Sequence, residues 1–138
     1  KRRASPAWKA WSGYAFESVC LKHVRGIKRA LGIEAADTTE ASWAYRSEDP
    51  SESGAQIDLV IDRRDGCVNL CEMKFTEDAF VIDKRYAARL RQKRDAFRRA
   101  TGTRKTLFLT MVTSCGIRPN EQSTQLAASS VVADALFS

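Results

Sequence analysis

The segment from Ala55 to Phe75 constrains this chain more than any other. Two strand-like runs, Ala55 to Arg63 and Cys67 to Phe75, are separated only by Arg64-Asp65-Gly66, the pattern of a β-hairpin. Side chains alternate along a strand. Glu72 and Lys74 therefore share a face with Val68 and Leu70, while Cys71, Met73 and Phe75 take the other. On the first run Asp58 and Val60 alternate with Ile57, Leu59 and Ile61. Both faces are apolar around the charges, as in a hairpin covered on two sides, and a buried charge without a partner is costly.

Whether Asp58 meets Glu72 depends on the turn. A two-residue Asp65-Gly66 turn pairs residue 58 with Met73 and puts Asp58 on the wrong face. A three-residue loop with a left-handed Gly66 pairs residue 58 with Glu72 instead. In that register the two Cβ atoms lie about 4.5–5.5 Å apart, and carboxylates so close repel by several kcal/mol at an effective dielectric of roughly 20. They need a shared proton or a cation. Lys74 brings one positive charge against two negative ones, whereas a divalent ion with oxygen ligands at about 2.0–2.6 Å fits the gap. The competing reading is a surface ion pair on a half-exposed sheet, worth about 0–1 kcal/mol.

The rest of the chain reads as a mixed α/β domain. From Ser12, the residues Phe16, Cys20, Val24, Ile27 and Leu31 recur on one face of a helix that runs to a left-handed cap at Gly32. Trp8 and Trp11 precede this helix and are expected to pack over its start. Trp43 and Tyr45 mark a short strand over Ser42 to Arg46, and the polar stretch Ser47 to Gly54 is a loop. Asp83 to Ala100 is a second helix with Tyr86, Leu90, Phe97 and Ala100 on its stripe and Gly102 beyond its end. Lys105 to Val112 suits a strand buried on both faces, and Gln125 to Val132 is a last strand.

With 138 residues the chain is expected to form one domain, residues 1–138. Its net charge of +6 points to a polyanionic partner, nucleic acid before a membrane surface. No run approaches the roughly 20 apolar residues of a membrane helix, and Lys1-Arg2-Arg3 lacks the apolar core of a signal peptide. Cys20, Cys67, Cys71 and Cys115 form no CxxC pair, which favours a reducing, cytoplasmic setting. Cys67 and Cys71 sit about 13 Å apart along a strand at 3.3 Å per residue, too far to chelate one zinc ion together. His23, the only histidine, stands at the border of the first helix's apolar face, where a structural role is expected.

The second helix is strongly basic: Lys84, Arg85, Arg89, Arg91, Lys93, Arg94, Arg98 and Arg99 stand against Asp83 and Asp95. Such a helix either follows a phosphate backbone or is a solvated face. Lys93 falls inside the apolar stripe, so it must snorkel, reach the hairpin carboxylates, or pair with another buried acid.

Asp58 followed by Glu72-Met73-Lys74 on the next strand resembles the PD-(D/E)xK nuclease superfamily. With Trp11-x-Gly13-Tyr14-Ala15-Phe16-Glu17, Gly54-Ala55-Gln56-Ile57-Asp58 and Cys71-Glu72-Met73-Lys74-Phe75, the chain is similar to a nuclease-fold domain at the C-terminus of prokaryotic AAA-type ATPases, from about Trp8 to Phe137. The resemblance implies a restriction-endonuclease-like core, a central mixed sheet flanked by helices in the order α-β-β-β-α-β. It implies Asp58 and Glu72 as ligands of Mg²⁺ or Mn²⁺, the Met73 carbonyl as a further ligand, and Lys74 as the residue that orients or activates water. Glu17 would complete the site, although a carboxylate near a helix start also meets the helix dipole favourably. Ile57 stands where the superfamily's name has Pro, and no Walker-type phosphate loop occurs, so an ATPase module would lie elsewhere in the parent chain. The expected activity is metal-dependent hydrolysis of nucleic acid, DNA first, with Lys84, Arg85, Arg89 and Lys93 on the backbone. The alternative is a non-catalytic nucleic-acid or protein docking module of the same fold.

Overall fold

A computed structural model describes residues 6–52 and 54–137, without the side chains of residues 6–11. Helix α1 (Pro6–Lys22) leads into the short helix α2 (Val24–Ala30), followed by strands β1 (Thr38–Tyr45), β2 (Ala55–Arg63) and β3 (Cys67–Lys74). Helix α3 (Lys84–Thr101), strand β4 (Thr106–Thr113), helix α4 (Glu121–Leu126), strand β5 (Ser129–Val132) and a 3₁₀ turn (Ala133–Phe137) complete the chain. The strands form one five-stranded sheet in the order β1-β2-β3-β4-β5. β1–β2 and β2–β3 are antiparallel, whereas β3–β4 and β4–β5 are parallel. The expected mixed α/β architecture, a central sheet flanked by helices, is what the chain adopts.

The hairpin takes the three-residue loop. Leu59 pairs with Cys71 and Asp62 with Val68, and Gly66 holds φ at +86°, a left-handed value that glycine reaches without a Cβ clash. Both faces of the hairpin are covered. On one, Ile57, Val60, Val68 and Leu70 pack with Leu90 and Phe97 of α3 and with Leu109 and Met111 of β4. On the other, Leu59, Ile61, Cys71 and Met73 pack with Cys20, Ile27, Val112 and Leu136.

Ile57 lies on the face opposite to the one that simple alternation gives it, because β2 carries a β-bulge. Ala41 pairs with Val60 but Trp43 with Ile57, so Asp58 and Leu59 together face Ser42. One extra residue on β2 turns Ile57 to the α3 side, and bulges of this kind re-aim side chains next to functional sites.

Other boundaries also differ. The first helix begins at Pro6, which takes Trp8 and Trp11 into α1, and their packing lies outside the described residues. The helix breaks at His23, where φ and ψ are −122° and 37°. There the ring Nδ1 lies 2.8 Å from the Val19 carbonyl and the ring packs edge-on against Phe137, a structural role for this histidine. Gly32 does end the second segment. Its N–H donates to the Arg29 carbonyl and that of Ile33 to the Lys28 carbonyl, the paired closure of a left-handed helix end. β1 begins at Thr38 and ends at Tyr45. On α3, Ala100 is exposed and Ala87 and Ala96 are buried in its place. Only the second half of the Gln125–Val132 segment is strand: Gln125 and Leu126 belong to α4, which Asn120 caps by accepting from the Ser123 N–H.

The α2 helix meets the closing 3₁₀ turn without room for a side chain. A Cβ on Gly26 would stand 2.5 Å from the Leu136 carbonyl oxygen, whereas one on Gly13 of α1 would meet nothing within 4 Å. Gly26→Ala should therefore destabilise the protein by about 1–3 kcal/mol through forced backbone movement. Gly13→Ala should stabilise it by roughly 0.5–1 kcal/mol through helix propensity. Urea titrations of the two variants check the contrast, and equal effects would remove the argument for close packing at Gly26.

Candidate functional site

The β2–β3 ladder ends at Leu59 and Cys71. Beyond it stand Asp58 and Glu72, and their carboxylates take over the hydrogen bonds that the backbones no longer exchange. The Met73 N–H donates to Asp58 Oδ2 at 2.9 Å, and the Asp58 N–H donates to Glu72 Oε2 at 3.1 Å. Amide donors buried between strands need acceptors, and here the acceptors are the two acids that alternation and the loop bring together. In an extended strand the N–H and C=O of one residue point the same way, so the Met73 carbonyl faces the same opening between β2 and β3.

That opening is a cleft of about 540 Å³, lined by Gly13 and Glu17 of α1, Gly54 to Gln56 and Asp58 from the β2 side, Glu72 to Phe75 from the β3 side, and Arg89, Gln92 and Lys93 of α3. Glu17, Asp58, Glu72 and Lys74 are thus on one surface, together with two of the four basic residues expected on the nucleic-acid backbone. Lys84 and Arg85 lie outside it. Both are exposed toward the start of α3, and Arg85 shares a neighbouring hollow of about 440 Å³ with Asp83, Tyr86 and Arg89.

Lys93 does not stand free for phosphate as expected. Its ammonium is ion-paired with Glu72 Oε1, and the two side chains are 20% and 9% exposed. Of the routes open to a lysine in an apolar stripe, it takes the one to the hairpin carboxylate. Lys74 is half-buried and holds its Nζ 5.3 Å from the centroid of the Tyr86 ring, within the range of a cation–π contact.

The electrostatics are those of crowded acids. Burial, and then the nearby Asp58 charge, push the Glu72 carboxyl above its usual range, against the pull of Lys93 and of the Asp58 N–H. The Glu17 carboxyl is raised by the same two causes in the same order. Cys20 is pushed up to about 12 by burial first and then by Glu17 and Asp58, so its thiol stays protonated and is no nucleophile. Tyr86 is marked in the sequence only as part of a packing stripe. Its hydroxyl is buried without a hydrogen-bond partner, and burial followed by the Glu72 and Asp58 charges raises its pKa. Gln92 and Gln56 also line the cleft. Gln56 falls within the Gly54-to-Asp58 motif of the resemblance but is given no role there, and no pattern in the sequence marks Gln92.

As a donor set, the residues are hard oxygen ligands of the kind that Mg²⁺ and Mn²⁺ take. A carboxylate offers about four lone-pair sites, so the hydrogen bonds made by Asp58 and Glu72 leave acceptor capacity on both. In the observed arrangement, however, no three His, Cys, Asp or Glu side chains among the described residues converge closely enough to hold an ion. Asp58 and Glu72 are then the two carboxylates available to an ion, and Mg²⁺ is commonly held by one or two carboxylates with water completing its shell.

Comparison with known proteins adds the fold alone. No family model and no curated protein matches the sequence. A solved structure described as a protein of unknown function, AF1548, superposes with a TM-score of 0.52 at 13% identity, covering 78% of this chain. The chain spans 56% of the length of that protein. No helix among the described residues is long and apolar enough to cross a membrane.

Removing Lys93 tests the electrostatic account directly. Lys93→Met leaves Glu72 as an uncompensated buried charge and should cost about 1–3 kcal/mol, below the range for fully buried pairs because Lys93 is partly exposed. Lys93→Met with Glu72→Gln should cost less than Lys93→Met alone. A carboxyl whose folded pKa is raised stabilises fully below its unfolded value, here the ordinary 4.5, and loses that stability as pH rises through the raised value. Loss of Lys93 raises Glu72 further. The cost of Lys93→Met should therefore be largest at neutral pH and vanish on acidification below the ordinary value, as measured by chemical denaturation at several pH values. A pH-independent cost would show that Lys93 acts through packing.

Proposed function

We propose that the cleft binds a Mg²⁺ or Mn²⁺ ion and hydrolyses the phosphodiester backbone of nucleic acid, DNA before RNA, as the nuclease-like domain of an AAA-type ATPase. The observation that carries this reading is the parting of β2 from β3, which sets Asp58, Glu72 and the Met73 carbonyl around one opening with Glu17 and Lys74 at its walls. The likeness of Asp58 and Glu72-Met73-Lys74 to the PD-(D/E)xK superfamily supports it, because two acids and a lysine are the residue types that such chemistry uses.

Asp58, Glu72 and the Met73 carbonyl would hold the ion, with Glu17 completing its shell directly or through water. The ion would supply charge for the scissile phosphate and lower the pKa of a bound water. Lys74, kept at the cleft by the Tyr86 ring, orients that water and balances charge on the phosphate as it develops. Arg89 at the rim, with Lys84 and Arg85 on the exposed side of α3, provides affinity for the backbone without reading bases.

A second reading has an observation in its favour. Lys93 is ion-paired with Glu72, an arrangement that would also serve a domain that keeps the fold but only docks nucleic acid or protein for the same ATPase.

Asp58→Asn discriminates between the two, since it removes the charge while keeping an acceptor for the Met73 N–H. Calorimetry should show saturable Mn²⁺ binding to wild type that is lost in the variant, with DNA cleavage lost alongside. Lys74→Met should retain Mn²⁺ binding and reduce cleavage by about 10²-fold or more. DNA binding without cleavage, unchanged by Asp58→Asn, would favour the docking module. Replacing Lys84, Arg85 and Arg89 together by alanine should lower the slope of log affinity against log salt by roughly 0.9 for each phosphate that the variant no longer neutralises, measured by fluorescence anisotropy on duplex DNA.

A further inference from the structure

We propose that Lys93 is the cleft's resident counter-cation: its ammonium holds the Glu72 carboxylate until a divalent ion enters, and then leaves Glu72 for a phosphate of the nucleic acid. The inference rests on the reading of the cleft as a metal site and adds a competition and a coupling that this reading does not contain. Lys93 stands on α3, whose packing face is apolar around it, with Leu90 and Phe97 buried in the α3-side core. A lysine is tolerated there because Glu72 accepts its hydrogen bond across the helix–sheet gap.

The competition follows from what Glu72 can do. One of its oxygens accepts from the Asp58 N–H and the other from Lys93. An ion that takes Glu72 as a ligand brings two positive charges to the place where the ammonium brings one, and cations crowded there repel. Lys93 must then move. Its long stem lets the head group turn without unseating the helix, and Arg89 and Gln92, which line the same wall, mark the side open to a phosphate. Released from Glu72, the ammonium binds that phosphate. Ion and nucleic acid therefore bind more tightly together than separately, and by linkage each strengthens the other by the same factor.

The test is Mn²⁺ calorimetry on wild type, Lys93→Met, Lys93→Arg and Asp58→Asn, each with and without a phosphorothioate DNA duplex that resists cleavage. Without DNA, Lys93→Met should bind Mn²⁺ about tenfold more tightly than wild type, or better, while Lys93→Arg gains nothing. DNA should tighten Mn²⁺ binding to wild type and do so much less in Lys93→Met. A spectrum of wild-type protein labelled at lysine Cε, assigned from the signal missing in Lys93→Arg, provides a readout that does not require Lys93→Met to fold. The Lys93 signal should shift on addition of Mg²⁺. Equal or weaker Mn²⁺ binding by Lys93→Met, an equal gain in Lys93→Arg, or an unmoved Lys93 signal in protein that binds the ion overturns the proposal and leaves the metal site standing, provided Asp58→Asn abolishes binding. Absence of saturable Mn²⁺ binding in both wild type and Lys93→Met overturns the metal reading and this proposal together.

Discussion

The site depends on a local failure of strand pairing. β2 and β3 are bonded as far as Leu59 and Cys71, and there the bulge opposite Ser42 turns β2 away. Parting two central strands leaves backbone amides without their ladder partners, and a buried amide left unpaired costs about 1–3 kcal/mol. The chain meets that cost with the two acids themselves, Asp58 accepting from the Met73 N–H and Glu72 from the Asp58 N–H. The acids thus hold the sheet together where it parts and also line the cleft. Their position is fixed by backbone donors, with Lys93 as a further partner of Glu72, and such support is what a precise site requires.

Everything else in the fold serves to hold that opening at a fixed width. β3 runs through the middle of the sheet, locked to β4 from Cys67 to Lys74, so one wall cannot drift. The layer of α1 and α2 covers Cys71 and Met73 on one face, and α3 covers Val68 and Leu70 on the other. Glu17 reaches the cleft from the first layer and Lys93 from the second. The two sides of the sheet, each packed for its own apolar reasons, meet in chemistry only where the strands part.

Legibility in the sequence follows the range of the interaction responsible. The hairpin is readable because it is set within a few residues, but its register stays open between a two- and a three-residue turn. Both faces are apolar, so burial alone does not choose, and the left-handed Gly66 decides it. The helix ends at Gly32 and Gly102 are readable for the same reason, whereas Asp83, read as the first residue of its helix, is the residue that caps it. The bulge is not readable, since Ile57 and Leu59 are equally apolar and either fits a buried face. The break at His23 is hidden because Cys20, Val24 and Ile27 keep helical spacing across it, while its cause includes a contact with distant Phe137. The Gln125–Val132 segment mixes a helix end and a strand within too few residues for periodicity to separate them. For the site, alternation brings Glu72 and Lys74 to one face and the choice of turn decides Asp58, whereas Glu17 comes with the family resemblance. Tyr86 is visible only as an aromatic on a stripe, because its buried hydroxyl depends on the placement of the whole α3 helix.

The balance of charge gives the cleft its character. Glu72 has a lysine partner and a backbone donor, and its carboxyl is still held above its usual range by burial and by Asp58. Burial thus opposes the charged form of Glu72 even with that ammonium beside it. Glu17, on the other wall, is raised by burial and by the same Asp58 charge. A site built only for stability is better served by apolar side chains of similar volume than by such a group of acids. Glu17, Asp58 and Glu72 share an opening between both layers of the fold with Lys74, Arg89 and Lys93, and a proton or a further cation beside Glu72 would relieve the cost of burying its charge. On the proposed reading that cation is a metal ion, and the hard oxygen donors of the acids suit it.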